Sequence, residues 1–202
     1  MINTVIDSTM KFYEGVTDRA LESLAQGKNF QIKKELGNRS LAQVNSSYFE
    51  SISKSDKARE MIAEYNKSMQ DMTSNAARSY RKALNQVNAT EDLVAKQQIL
   101  DRFANAGIHG FTNSAGARWN IETYSRQQTA YLNNELMRMQ VTENAKPDSL
   151  FLIAGGATEC DVCSQYVGEV MTAAEVSDAE ADGLFHPNCV HYLEEVESNA
   201  KD

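Results

Sequence analysis

Apolar side chains recur at close to a helical spacing through the first part of the chain. One series ends at Gly27, where a helix C-terminus is favoured, a second follows Ser55, a good N-cap, and a third comes directly after it. Proline is absent before Pro147, and strong helix formers are abundant there. The pattern predicts amphipathic helices over most of residues 1–106. The apolar positions are Val5, Phe12, Tyr13, Val16, Ala20 and Leu24, then Ala58, Met61, Ile62, Tyr65, Met69, Met72, Tyr80, Leu84 and Val87, then Leu93, Val94, Leu100 and Phe103.

Glycines and small polar residues interrupt this pattern between residues 107 and 119. Three glycines, with Asn113 and Ser114, lie among apolar positions there, which favours a short hairpin or a tight loop. Asn120 can then cap a further helix that should run to about Thr142.

Beyond Pro147 the pattern becomes strand-like. The apolar run at residues 150–154 closes on Gly155 and Gly156, which is typical of a short buried strand. Thr172 begins a short acidic helix, and Glu175 three residues later can complete a capping box. Further strands are expected at residues 166–171 and 190–196.

The formal net charge of −8 is unevenly distributed. Residues 1–146 hold 19 Lys and Arg against 16 Asp and Glu (+3), whereas residues 147–202 hold 1 against 12 (−11). Because residues 147–202 are so acidic, they repel phosphate backbones. Any contact with DNA is therefore expected only from the N-terminal part. Neither a bilayer-spanning apolar stretch nor a secretory leader is visible, and three cysteines favour a reducing compartment.

All three cysteines and two of the three histidines lie between positions 160 and 191. Two residues separate Cys160 from Cys163, and two separate His186 from Cys189, a spacing that lets each tight turn direct two ligands at one ion. Thiolates with an imidazole favour Zn²⁺. His191 is the alternative ligand, in place of Cys189 or His186. In its other possible role it hydrogen-bonds to a ligand without contacting the ion.

A redox or disulfide pair and a metal-free remnant are the other interpretations of these cysteines. Three thiolates and one histidine would fill a tetrahedron and leave no position for water, which favours a structural site and no catalytic residue. The predicted fold is α+β, with a helical region at residues 1–106, a glycine-rich hairpin and long connecting helix at 107–146, and an acidic zinc-stabilised α/β module with short strands at 147–202.

A small group of cations lies near the end of the second helical series. Arg78, Arg81 and Lys82 form a basic patch, which is usually a solvated helix face and less often a contact for DNA or an acidic partner. His109 is more often a surface or hydrogen-bonded residue than a ligand.

Three segments together resemble the minor capsid protein 2 family of tailed phages, which is related to the Mu F type of head-morphogenesis protein. They are residues 107–124, with Gly-Phe-Thr and Trp-Asn, the Cys160-Asp-Val-Cys163 turn, and residues 183–191, with His-Pro-Asn-Cys. The resemblance covers roughly residues 95–195. Val190 stands where the family usually has arginine.

The resemblance implies a virion component in the head, associated with the portal protein and other head proteins and made in the host cytoplasm. Its implied role is head assembly or genome packaging and delivery, without a catalytic step. A zinc-dependent hydrolase or nuclease acting on phage DNA and a nucleic-acid-binding zinc module are the alternatives. The acidic tail argues against the last of these.

Overall fold

The structure, a computed structural model, describes residues 2–37, 39–156, 160–186 and 189–196. Within these ranges none of the helices is both long and apolar enough to cross a membrane. The helices are α1 (Ile2–Ala25), α2 (Ile32–Leu36), α3 (Arg39–Ile52), α4 (Asp56–Asn88), α5 (Leu93–Ala106), α6 (Ile121–Glu143) and α7 (Ala173–Ala181). The strands are β1 (His109–Thr112), β2 (Arg118–Asn120), β3 (Leu150–Ala154), β4 (Val170–Thr172) and β5 (Tyr192–Val196).

The chain forms two compact units. Unit 1 consists of residues 1–48 and 60–129, and unit 2 consists of residues 49–59 and 130–202. The fold class is α+β with a helical N-terminal part, as the sequence predicts. The three-part division of the sequence stays a prediction.

Unit 1 has a core in which α1, α2, α4 and α5 bury their apolar faces. Tyr80 of α4 is only 1% exposed, and its ring packs edge-to-face on Phe103 at 6.1 Å between centroids. Its hydroxyl donates to the Lys28 carbonyl at 2.8 Å, so the buried polar atom is satisfied. Burial of this kind explains why the helices follow the apolar period of the sequence.

A two-stranded antiparallel hairpin, β1 with β2, completes unit 1. Phe111 pairs with Trp119 across it, and Thr112 pairs with Arg118. A Cβ at Gly110 would lie 2.5 Å from the Met72 side chain, so only glycine lets the hairpin approach α4 this closely. The glycine-rich segment therefore forms the predicted hairpin.

Unit 2 contains a three-stranded antiparallel sheet in the order β4-β3-β5. Phe151 and Ile153 of the central strand are fully buried. They pack with the buried side chains of Cys163, Val176, Ala179, Leu184, Phe185, Cys189 and Leu193. The small core of unit 2 therefore includes two of the three cysteines.

The local predictions are largely confirmed. The Ser55 and Asn120 side chains cap α4 and α6 by accepting from the amides of Ala58 and Thr123. The capping box of Thr172 and Glu175 is present at α7.

Two local details differ from the sequence analysis. Strand β4 begins only at Val170, because residues 163–168 form a 3-10 turn and further turns. Helices α2 and α3 lie within the predicted helical region but outside the three individual apolar series.

Candidate metal centre

The two short motifs each form a tight turn closed by one backbone hydrogen bond. The Ser164 amide donates to the Cys160 carbonyl at 2.9 Å, and the Cys189 amide donates to the His186 carbonyl at 2.8 Å. The first turn thereby holds the Cys160 and Cys163 side chains close together. His191 follows the second turn directly before β5.

The structure brings all five predicted donor residues to one place in unit 2. The Cys160 Sγ lies 3.3 Å from His186 Nε2, the Cys163 Sγ lies 3.7 Å from Cys189 Sγ, and the Cys189 Sγ lies 3.1 Å from His191 Nδ1. Ligand bonds of zinc-like length in a tetrahedron place two sulfurs about 3.8 Å apart and a sulfur and a nitrogen about 3.6 Å apart. The observed separations are close to these values.

Two overlapping groups of donors satisfy the condition that all their ligand atoms lie within 4.8 Å of one another. The first is Cys160, Cys163 and His186, and the second is Cys163, Cys189 and His191. Cys163 belongs to both groups and is fully buried. Each group can hold a metal ion, and Cys163 is the donor that they share.

The ring of His191 is fixed by contacts on both of its nitrogens. Its side chain is buried, and Nε2 lies 3.1 Å from the Gly156 carbonyl oxygen. Since a carbonyl only accepts, Nε2 carries a hydrogen, and a neutral ring then has its lone pair on Nδ1, towards Cys189. Metal-bound histidines commonly donate their second nitrogen in this way.

Gly155 provides the space for this ring. Its φ is +139°, and a Cβ there would lie 2.7 Å from His191 Cδ2. In the sequence, Gly155 and Gly156 indicate only the end of a strand. Their relation to His191 was missed, because 35 residues separate Gly156 from the ring.

The thiols differ in acidity because their surroundings differ. Burial raises the pKa of the Cys163 thiol from its ordinary value of 9.0 to about 12, and the neighbouring thiols add to the rise. Hydrogen bonding from the Cys163 backbone lowers the pKa of the half-buried Cys160 thiol from 9.0 to about 7. A divalent cation would instead favour the thiolate form of Cys163, because a metal replaces the thiol proton.

The donors are sulfur and imidazole nitrogen. Within the part of the chain that the structure describes, neither donor group contains a carboxylate. Asp161 is exposed, and Glu159, the other acid beside the first turn, lies outside the described residues. None of the three cysteines forms a disulfide, as a reducing environment requires.

These features define an α+β protein with a helical first unit and a small second unit that carries a candidate metal centre. The family model for phage minor capsid protein 2 matches residues 4–201, which is almost the entire chain. The chain therefore belongs to the phage minor capsid protein 2 family, as the sequence motifs indicated. The family places it in the virion head, as a structural component among other head proteins. Comparisons with curated proteins and with solved structures give no match.

Proposed function

We propose that this chain is a non-enzymatic structural protein of the phage head whose second unit is held together by one Zn²⁺. The observation that carries the proposal is the clustering of three sulfurs and two imidazoles in two groups of three that share Cys163. Three pairs of neighbouring donor atoms lie 3.1–3.7 Å apart. Sulfur-rich donor sets favour zinc over harder ions such as magnesium. Such an ion would stabilise unit 2, because the core of this unit is small and buries little apolar surface.

The proposed ligands are Cys160, Cys163, His186 and Cys189, with His191 as the alternative. Both histidines contact a ligand sulfur, so the distances support either choice. His186 completes the H-x-x-C turn, whereas His191 has the lone pair of Nδ1 aimed at Cys189. Either set contains four donors, the number found in structural zinc sites. Among the described residues these donors lie in two groups of three that share Cys163, so binding of one ion requires them to draw together.

The proposed place of action is the portal vertex or the interior of the head, after synthesis in the host cytoplasm. The helical unit offers surfaces for the portal protein and other head proteins, and the chain would act in head assembly or in genome packaging and delivery. A contact with DNA is proposed only for the N-terminal part, since residues 147–202 carry a net charge of −11 (1 basic against 12 acidic residues).

Metal analysis of the purified full chain tests the zinc centre. The expected content is one zinc per chain, and Cys160→Ser should lower it and increase proteolysis beyond Pro147 while α1–α5 stay protected. Ser164→Ala is the matched control, since it lies in the same turn and offers no sulfur. Unchanged zinc content and proteolysis in Cys160→Ser would show that the ligand assignment is wrong.

Cobalt substitution separates the two histidines. The visible absorption of bound Co²⁺ depends on the number of sulfur and nitrogen ligands, so replacing the true ligand histidine should change the spectrum. The spectra of His186→Ala and His191→Ala therefore identify which ring binds.

Co-sedimentation with portal and with procapsids tests the structural role. The expected result is retention of the chain by these assemblies and its presence in mature virions. Absence from both would contradict the assignment. Nuclease or hydrolase activity that requires zinc, together with an open coordination position, would instead support the enzyme alternative.

A further inference from the structure

Two adjoining surface cavities in unit 1 contain a cluster of basic side chains; apolar residues, among them Ile99 and Phe103, also line the smaller one. One has a volume of about 470 Å³ and lies between α4 and the hairpin, and the other, of about 280 Å³, extends towards α5. Both are lined by Ser79, Lys82, His109 and Arg118. Arg78 lines the larger cavity, and Arg102 lines the smaller one.

The cations of these cavities form no ion pair with the residues that the structure describes. Among the described residues no carboxylate lies within ion-pair distance of Arg78, Lys82, Arg102 or Arg118. Arg78 and Lys82 stand four residues apart on α4, a spacing at which like charges repel. Burial, and then the positive charge of Arg118, lower the pKa of His109. An anion bound here would relieve this repulsion.

Neutral donors and an aromatic face accompany the cations. Asn75, Ser79 and Thr112 line the larger cavity and can donate to anionic oxygens. Phe111 also lines it, is 37% exposed, and stacks on Tyr124 at 5.0 Å between centroids with 19° between the planes. The Phe111 ring is thus held rigidly beside the charged groups.

From this arrangement we infer that the two cavities, with Phe111, form a binding site for a single strand of nucleic acid. Arg78, Lys82 and Arg118 hold successive phosphates, and the Phe111 ring stacks against a base. Positive grooves with aromatic platforms are how proteins bind single strands without reading sequence. An acidic protein segment would use the cations but would leave the exposed ring unused.

The inference goes beyond the proposed function and does not rest on it. The Asp71 carboxylate lines an adjacent cavity, which it shares with Arg78 and Phe111. Asp71→Asn should therefore strengthen binding.

Fluorescence anisotropy with the full chain tests the site. The probe is a labelled thymidine oligonucleotide of roughly 20 nucleotides, longer than the ~4–16 that one single-strand site covers. Arg78→Gln, Lys82→Gln and Arg118→Gln should each weaken binding and lower the slope of log K against log salt by about 0.7. Phe111→Leu, which keeps apolar bulk but removes the stacking face, should weaken binding roughly 5- to 150-fold at every salt concentration.

Arg81→Gln is the matched control. Arg81 is exposed on the same helix and lines neither cavity, so its loss should have much less effect than that of Arg78 or Lys82. Thermal melting of each variant checks that unit 1 remains folded. An effect of Arg81→Gln as large as that of Arg78→Gln would show diffuse attraction and overturn the inference.

Competitors distinguish the class of ligand. Unlabelled single strands should displace the probe better than the corresponding duplex, polyglutamate or inorganic phosphate at equal charge. Equal displacement by polyglutamate would assign the site to an acidic protein, and equal displacement by phosphate would reduce it to an isolated anion site. No measurable binding at low salt would also overturn the inference. Cys160→Ser should bind the probe normally, so failure of the zinc proposal and failure of this one are separable.

Discussion

Replacing Gly155 by alanine should destabilise unit 2, although the change adds one methyl group to an exposed residue. The φ of +139° at Gly155 is one that residues with a Cβ rarely adopt, and holding alanine there costs of order 1–3 kcal/mol. The new Cβ would also lie 2.7 Å from His191 Cδ2 and 3.2 Å from its Cα. The ring must therefore shift.

The shift of His191 adds a second cost. It would weaken the hydrogen bond from Nε2 to the Gly156 carbonyl, which is 3.1 Å long and whose loss costs about 1 kcal/mol. The sum is about 2–4 kcal/mol, and for a unit of this size it should lower the melting midpoint by about 10 °C or more. Differential scanning calorimetry gives the midpoint, and hydrogen exchange of the β3 and β5 amides localises the effect to the sheet.

Gly156→Ala is the control for this prediction. A Cβ at Gly156 would meet nothing within 4 Å, so its effect should stay within about 0.5 kcal/mol. If Gly155→Ala and Gly156→Ala have the same melting midpoint, the close packing of Gly155 against His191 does not stabilise unit 2. The same result would remove the reason for glycine at this position.

Three further results are expected. If the proposed ion is present, a chelator should speed alkylation of Cys163, which is fully buried, and accelerate amide exchange in β3 and β5 but not in α1. Thr129→Val removes a buried hydrogen-bond partner 3.1 Å from the Tyr65 hydroxyl and should lower the free energy of unfolding by about 1–3 kcal/mol in a urea titration. At α7, hydrogen bonds from Thr172 lower the pKa of Glu175, so its contribution is present above the unfolded pKa and is lost as pH falls through the folded one. The acid limb of stability should flatten in Glu175→Gln.

Much of the secondary structure could be predicted because its causes are local. A capping box needs residues three positions apart, and Thr172 and Glu175 supply it without help from the rest of the chain. The long helices follow an apolar period that burial only confirms. The turn at Cys160 is likewise local, since two intervening residues suffice to bring the Cys160 and Cys163 donors together.

Helices α2 and α3 could not be predicted in the same way. Helix α2 has five residues, too few to show a period, and its two buried residues, Ile32 and Leu36, gain their stability from packing against the core of unit 1. The first residue of β4 could not be predicted either, because pairing with β3 selects which residues of the segment become a strand.

The sequence by itself determined the long helices, their caps, the two short donor motifs and the family. Only the tertiary structure decided that the His191 ring contacts Cys189, that Gly155 makes room for this ring, and that Arg118 of the hairpin joins Arg78 and Lys82 of α4. The physical reason is distance along the chain. Propensity and periodicity act over a few residues, whereas these juxtapositions depend on how elements tens of positions apart in the chain pack together.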